Sequence, residues 1–178
     1  RFWRLIMVLM VSENEIGKSA YQFDQLVAGN INLVMIICNH CPYVIYRMNA
    51  ISQLVSDYRD KVNCVAVSSN DPGRHMEDHP DSMPAFKEQW NLQCEYIYDE
   101  DQSIAHNYNA VCTPEFYVID NDNIIRYHGE FDPSHTANDL IPTGSSLRHA
   151  LDLVLTDKPI TWEPNPSFGC SIKWKDSA

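Results

Sequence analysis

The chain has 178 residues, with 13 Lys and Arg against 24 Asp and Glu, for a net charge of −11. That length suits one domain with a sizeable core. The acidity and the lack of any Lys/Arg run argue against nucleic acid as a partner, and no stretch approaches the ~20 apolar residues that span a bilayer. Six cysteines are too sparse for a disulfide scaffold, so each needs its own explanation.

The opening run, Arg1-Phe-Trp-Arg-Leu-Ile-Met-Val-Leu-Met-Val11, reads as a first strand. The alternative is the remnant of a targeting segment, although no small-residue cleavage site follows. A cytoplasmic location is favoured, with an exported or periplasmic one the alternative. Ile31-Asn-Leu-Val-Met-Ile-Ile37 is continuously apolar, as expected of a strand buried on both faces. Apolar residues at Val44, Met48, Ile51, Val55 and Tyr58 then follow helical spacing, with Pro42 in the first turn, where a missing N–H costs nothing. Residues 62–67 form a second strand and 82–91 a helix. A short strand is expected over 95–98 and a short helix over 103–108, the latter capped by Asp99-Glu-Asp101. Strands 115–119 and 124–131 flank the turn Asp120-Asn-Asp-Asn123, and a last helix starts near Thr143 and runs to Leu155.

Strand–helix alternation followed by an antiparallel pair predicts an α/β domain: a mixed sheet flanked by helices. Residues 1–158 make this domain, including the N-terminal strand extension. Residues 159–178, interrupted by Pro159, Pro164 and Pro166, form an extended C-terminal tail packed on it through Trp162, Phe168 and Trp174.

Cys38 and Cys41 form a C-x-x-C where the buried strand meets the helix. Unpaired N–H groups and the positive end of the helix dipole would favour a thiolate at the first sulfur, and His40 could add positive charge. Two intervening residues let the sulfurs close a disulfide with little chain entropy to lose. The alternatives are half of a structural zinc site or two inert buried cysteines. Zinc normally takes a second ligand pair at short spacing, whereas Cys64, Cys94, Cys112 and Cys170 stand singly. His75 and His79 have metal-like spacing, but Pro72, Gly73 and Pro80 make their segment a solvated loop, so no metal is expected. Cys112 is a possible additional redox thiol or a buried small side chain. Cys64 and Cys94 read as inert. Cys170 reads as a tail residue with a regulatory or intermolecular disulfide as its alternative.

Four separated motifs, Ile37-Cys-Asn-His-Cys-Pro-Tyr-Val44, Ser69-Asn-Asp71, Cys112-Thr-Pro-Glu-Phe116 and Gly169-Cys-Ser-Ile-Lys-Trp174, carry a resemblance. From about Ser19 to Lys175 the chain resembles the thioredoxin superfamily. The branch is the one grouped with alkyl hydroperoxide reductase and thiol-specific antioxidant proteins, and within it a peroxiredoxin-like redoxin subgroup. The resemblance implies a thioredoxin-like fold and a cis Thr113–Pro114 peptide facing the cysteines, with an ordinary trans turn as the alternative. Such a kink would leave backbone groups of Thr113 free to pair with a substrate chain.

The sequence also departs from that family. Thioredoxins usually have Trp before the first Cys and Pro between the two; here Ile37 precedes it and Asn39-His40 intervene. The buried acid six residues upstream is Asn32 here, so another group or water must handle protons. A His before the second Cys resembles strongly oxidising disulfide-forming enzymes. In the P-x-x-x-T/S-x-x-C pattern of peroxiredoxins, Val34 and Cys38 would replace the Pro and Thr if Cys41 were peroxidatic, and neither Arg47 nor Arg126 is required by spacing.

The expectation is a thiol–disulfide oxidoreductase acting on disulfide- or dithiol-containing proteins or small molecules, with an unidentified electron donor and no cofactor. Cys38 would attack, Cys41 resolve and His40 stabilise the Cys38 thiolate. Asn39, Pro42, Thr113 and Pro114 would contact substrate. The alternatives are a thiol peroxidase and a non-catalytic adaptor or metal-binding module.

Overall fold

The computed structural model describes residues 13–176; the expected first strand at 1–11 lies outside them. Its elements in chain order are β1 (Asn32–Ile36), α1 (Pro42–Tyr58), β2 (Asn63–Ser68), α2 (Met83–Trp90), β3 (Glu95–Tyr98), α3 (Ser103–Asn107), β4 (Cys112–Thr113), β5 (Glu115–Ile119), β6 (Ile125–Gly129), α4 (Ser145–Leu155) and β7 (Cys170–Ser171). Five strands form one sheet in the order β3-β2-β1-β5-β6. β2 runs parallel to β1 and β3 parallel to β2; β5 is antiparallel to β1, and β6 antiparallel to β5. This is the mixed sheet expected from the alternation, with helices on both faces.

β1 lies at the centre because its residues are apolar on both faces. Successive side chains of a strand point to opposite sides. Leu33 and Met35 therefore join a core with Val44, Met48, Ile51 and Val55 of α1 and Leu147, Leu151 and Val154 of α4. Val34 and Ile36 pack instead with Ile104 and Ala105 of α3, Tyr108 and Ile172. Each fully buried aliphatic side chain in these layers contributes about 1.5–3 kcal/mol of transfer free energy.

Several expectations change in detail. The loop after β2 is not simply solvated. It makes two single-turn 3-10 segments, Met76–Asp78 and Pro80–Ser82, and buries Asp78 completely. The carboxylate turns inward because unpaired backbone donors of the C-x-x-C loop await it. α4 begins at Ser145 behind the left-handed Gly144, with no side-chain cap. The Thr143 and Gly144 amides instead donate to Asp132 Oδ2 at 2.7 Å each, so an acid distant in sequence satisfies them. At α3 it is buried Asp99 that accepts from the Ile104 and Ala105 amides, while Asp101 accepts from Ser103. Asn32 is buried and hydrogen-bonded to Val27, Asn30 and Asn63. It therefore knits the sheet's far end together and handles no proton at the cysteines.

The tail follows a fixed path. Trp162 stacks on His149 of α4 with ring centroids 4.4 Å apart, Phe168 meets Tyr43 edge-on at 5.1 Å, and Trp174 stacks on His106 at 4.3 Å. Between the last two anchors the chain forms β7, which pairs antiparallel with β4 (Cys112 with Ser171, Thr113 with Cys170). Neither short strand has a periodic signal, since two residues cannot show one.

Candidate active site

Ile37 leaves β1 and the chain turns through Cys38-Asn-His before α1 begins, with Cys41 as its N-cap residue and Pro42 following. The Thr113–Pro114 peptide is cis. It faces both sulfurs: Cys38 Sγ lies 3.5 Å from Thr113 Oγ1, and Cys41 Sγ lies 3.3 Å from the Thr113 carbonyl oxygen. Cys38 and Cys41 are both fully buried, and all six cysteines are free thiols.

The helix end serves a different sulfur from the one expected. Cys41, not Cys38, occupies the cap, and the amides of Asn39 and His40 are taken by Asp78 Oδ1 at 2.8 and 3.1 Å. Cys41 also neighbours two thiols, with Cys170 Sγ at 2.8 Å and Cys38 interacting with it as well. Donation from Cys170, then from Cys38, pulls its thiol well below the ordinary cysteine range despite burial. Cys38 moves up, first because its proton is shared with Cys41, then through burial and the nearby Asp78 charge. Cys170 is pushed up by the same pairing with Cys41 and by burial.

With its thiol lowered by these contacts, Cys41 should keep a thiolate through acidification that protonates an ordinary cysteine. Reduced protein should retain one thiolate absorbance equivalent as pH falls from about 8 to about 5, where a free thiol is essentially protonated. Cys41→Ser should remove that plateau. Ultraviolet titration of the two reduced proteins checks this.

His40 is held from two sides. Its Nδ1 lies 2.5 Å from Asp78 Oδ2 and 3.7 Å from Cys38 Sγ, and its ring stacks on His75 at 3.7 Å. Asn70 donates to the same Asp78 oxygen at 2.8 Å. Asp78 thus accepts from two backbone amides and one side-chain amide and also engages the imidazole. Sequence reasoning missed it, because an acid in a Pro/Gly-rich loop carries no sign of burial. Asp78→Ala would strand those donors and should lower stability by about 2–4 kcal/mol, read as a lower urea midpoint with unchanged slope.

Asn39 is less free than a substrate contact would be: it accepts from Tyr96 OH and donates to the Glu77 carbonyl, both at 2.8 Å. Pro42 is exposed at the helix start. Thr113 is not open to an incoming chain, because β7 already pairs with it. The tail lies so close to it that a Cβ built on Gly169 would sit 1.8 Å from the Thr113 oxygen. Cys112 is buried, and burial followed by the Glu115 charge pushes its thiol up. Glu115 itself is fully buried, accepts from the Val111 amide, and pairs with His128 at 2.7 Å. Burial pushes both Cys64 and Cys94 up to about 12. Arg47 lies near Cys41 and Asp132, bonded to the Tyr43 and Ser134 carbonyls, with its Nε unpartnered. Arg126 instead pairs with Asp120 at 3.2 Å.

Among the described residues, Cys38, His40 and Asp78 offer three possible metal-ligand atoms within 4.8 Å of one another. The short His40–Asp78 contact already joins two of those donors. His75 and His79 do not form a ligand pair: His75 stacks on His40, and His79 Nδ1 accepts from the Asp81 amide. No helix among the described residues is long and apolar enough to cross a membrane.

A mixed sheet with paired thiols at a strand–helix junction, opposite a cis-proline, defines a thioredoxin-like thiol-redox protein. The chain is similar to an uncharacterized conserved protein from Geobacillus kaustophilus, with 37% identity, 94% of this chain and 97% of that chain covered, and a TM-score of 0.88. A hypothetical protein from Sinorhizobium meliloti 1021 is 31% identical, with 94% and 98% covered and a TM-score of 0.88. A thioredoxin-like protein solved in its oxidized form shares the fold at 16% identity, with 83% and 96% covered and a TM-score of 0.60. No curated protein matches the chain. The AhpC/TSA family matches residues 10–128, and the chain belongs to that family. Thiol-based redox chemistry is the activity this membership supports.

Proposed function

We propose that the protein is a thiol–disulfide oxidoreductase whose working couple is Cys38–Cys41. The observation that carries this reading is the placement of both sulfurs against Thr113, at 3.5 and 3.3 Å, beside the cis peptide. In the dithiol form a proton is shared between Cys38 and Cys41. Its transfer to Cys41 gives the Cys38 thiolate, which attacks one sulfur of an outside disulfide. The S–S bond of the substrate breaks, a mixed disulfide forms at Cys38, and the released thiolate takes up the Cys41 proton. Cys41 thiolate then attacks Cys38 Sγ, forms the Cys38–Cys41 bond and expels the second substrate thiolate. An external dithiol or equivalent two-electron donor returns the pair to the reduced state. His40, fixed by Asp78 and His75, stands 3.7 Å from Cys38 and favours its anionic form when protonated. An extended substrate chain would pair with Thr113 in place of β7.

Reduction of insulin disulfides and titration against a glutathione redox buffer test the proposal. A reversible Cys38–Cys41 couple is expected, near −270 mV for a reductase or near −120 mV for an oxidant. Absence of any reversible couple overturns it. A thiol peroxidase is the second reading, supported by the AhpC/TSA match and by the electrostatic interaction of buried Arg47 with Cys41. Against it, Val34 and Cys38 occupy the positions of the peroxidatic Pro and Thr. Stopped-flow reaction with hydrogen peroxide separates the two: rapid consumption abolished by Cys41→Ser favours the peroxidase.

A further inference from the structure

The sulfur closest to the couple belongs to neither of its neighbours in sequence. Cys170 Sγ is 2.8 Å from Cys41 Sγ across 129 residues of chain. Four features hold it there. β7 pairs Cys170 with Thr113, so the tail takes the edge where an outside chain would add as a strand. Gly169 lets the tail backbone press against the Thr113 carbonyl, a place no other residue type could occupy without moving the chain. Past Cys170, Ile172 is buried and its amide donates to the Val111 carbonyl at 3.0 Å, while Lys173 exchanges bonds with Asn70 and Asp71. Before it, Phe168 sits on Tyr43 of α1. The tail thus enters the site as a docked strand carrying a thiol.

Exposure separates the three sulfurs. Cys38 and Cys41 are fully buried, whereas Cys170 is only half-buried. With the tail docked, a solution thiol reaches Cys170 first.

We propose that Cys170 is a third redox thiol of this site, which takes Cys41 out of the Cys38–Cys41 disulfide and holds it as a Cys41–Cys170 disulfide. This inference rests on the dithiol reading above. The exchange is redox-neutral. Cys170 loses its proton and its thiolate attacks Cys41 Sγ; the Cys41–Cys170 bond forms, the Cys38–Cys41 bond breaks, and Cys38 leaves as a thiolate that accepts the proton. No outside oxidant or reductant enters this step. Tethering supports it, since a docked thiol competes with dissolved thiols at a high effective concentration. The product locks β7 to the site, frees Cys38, and places the disulfide where an external dithiol can attack Cys170. The partner that fits this arrangement is a reducing dithiol that meets the tail strand.

The test uses full-length protein oxidised with diamide, quenched in acid, alkylated under denaturing conditions and mapped by peptide mass spectrometry. In wild type both the Cys38–Cys41 and Cys41–Cys170 linkages are expected, in a ratio that stops changing with time. In Cys38→Ser the expected result is loss of both remaining thiols of the cluster to an intramolecular Cys41–Cys170 linkage in monomeric protein. Free, alkylated Cys41 and Cys170 in that variant overturn the proposal, as does a linkage found only between chains. Failure of the dithiol reading looks different: no Cys38–Cys41 linkage in wild type or in Cys170→Ser. Gly169→Val supplies the second readout, because it unseats the tail without touching a sulfur. It should lower the Cys41–Cys170 fraction several-fold relative to Cys38–Cys41, and an unchanged ratio overturns the proposal.

Discussion

Cys41→Ser is expected to abolish turnover with insulin and to accumulate a mixed disulfide between Cys38 and the substrate. Cys38→Ser should abolish turnover without any such adduct. The size of the loss follows from chemistry: a hydroxyl at neutral pH is almost wholly protonated and is a poor nucleophile toward sulfur, so each change should lower kcat/KM by on the order of 10³-fold or more. The asymmetry between the variants follows from geometry. With Cys41 gone, the sulfur left nearby is Cys170, which sits against the Cys41 position. It is therefore badly placed to resolve an adduct at Cys38, and the adduct persists. Intact-mass spectrometry of each variant after incubation with a disulfide peptide reads the outcome. An adduct on Cys38→Ser, or equal silence from both, would reverse or remove the assigned roles.

How far the sequence foretold this site depends on which force made each part. The strand–helix skeleton was legible because burial imposes a period: Leu33 and Met35 face one core, Val34 and Ile36 the other, and α1 repeats at three and four. The cysteine pair was legible because its spacing sits at a predicted junction. The cis Thr113–Pro114 was expected from the resemblance alone, since nothing in a single Thr-Pro dipeptide distinguishes cis from trans. Asp78 and the place of Cys170 were not legible, because each is fixed by a contact distant in sequence. Asp78 meets the Asn39 and His40 amides from 38 residues or more away. Cys170 reaches Cys41 only because β7 pairs with β4. The pKa shifts follow the same contacts: local reasoning favours a thiolate at the first cysteine after the strand, whereas tertiary neighbours raise that thiol and lower the second.

Gly169→Ala should open the site. The added Cβ would meet the Thr113 carbonyl oxygen at 1.8 Å, with the Thr113 carbonyl carbon at 2.6 Å and the Pro114 nitrogen at 3.2 Å. All three are backbone atoms of the Thr113–Pro114 peptide next to the paired strand β4, so no side chain can swing away to relieve the clash. The tail must lift instead, and overpacking of this kind costs about 1–3 kcal/mol, equivalent to a roughly 5- to 150-fold rise in the undocked population. Undocking moves Cys41 in two ways. Its cover is removed, and it loses the Cys170 donor, the largest contributor to its low pKa, so its thiol titrates closer to the ordinary range. Iodoacetamide labelling of Cys41 measured across pH separates these effects. The labelling rate on its thiolate plateau should rise by the opening factor, and the midpoint of the rate profile should shift upward. Substrate turnover gains from the first change, because Thr113 becomes available to an incoming strand, and it loses the built-in competitor for Cys41 at the same moment. A tail that merely decorates the surface predicts neither shift, so unchanged labelling in Gly169→Ala would contradict a docked, redox-coupled strand.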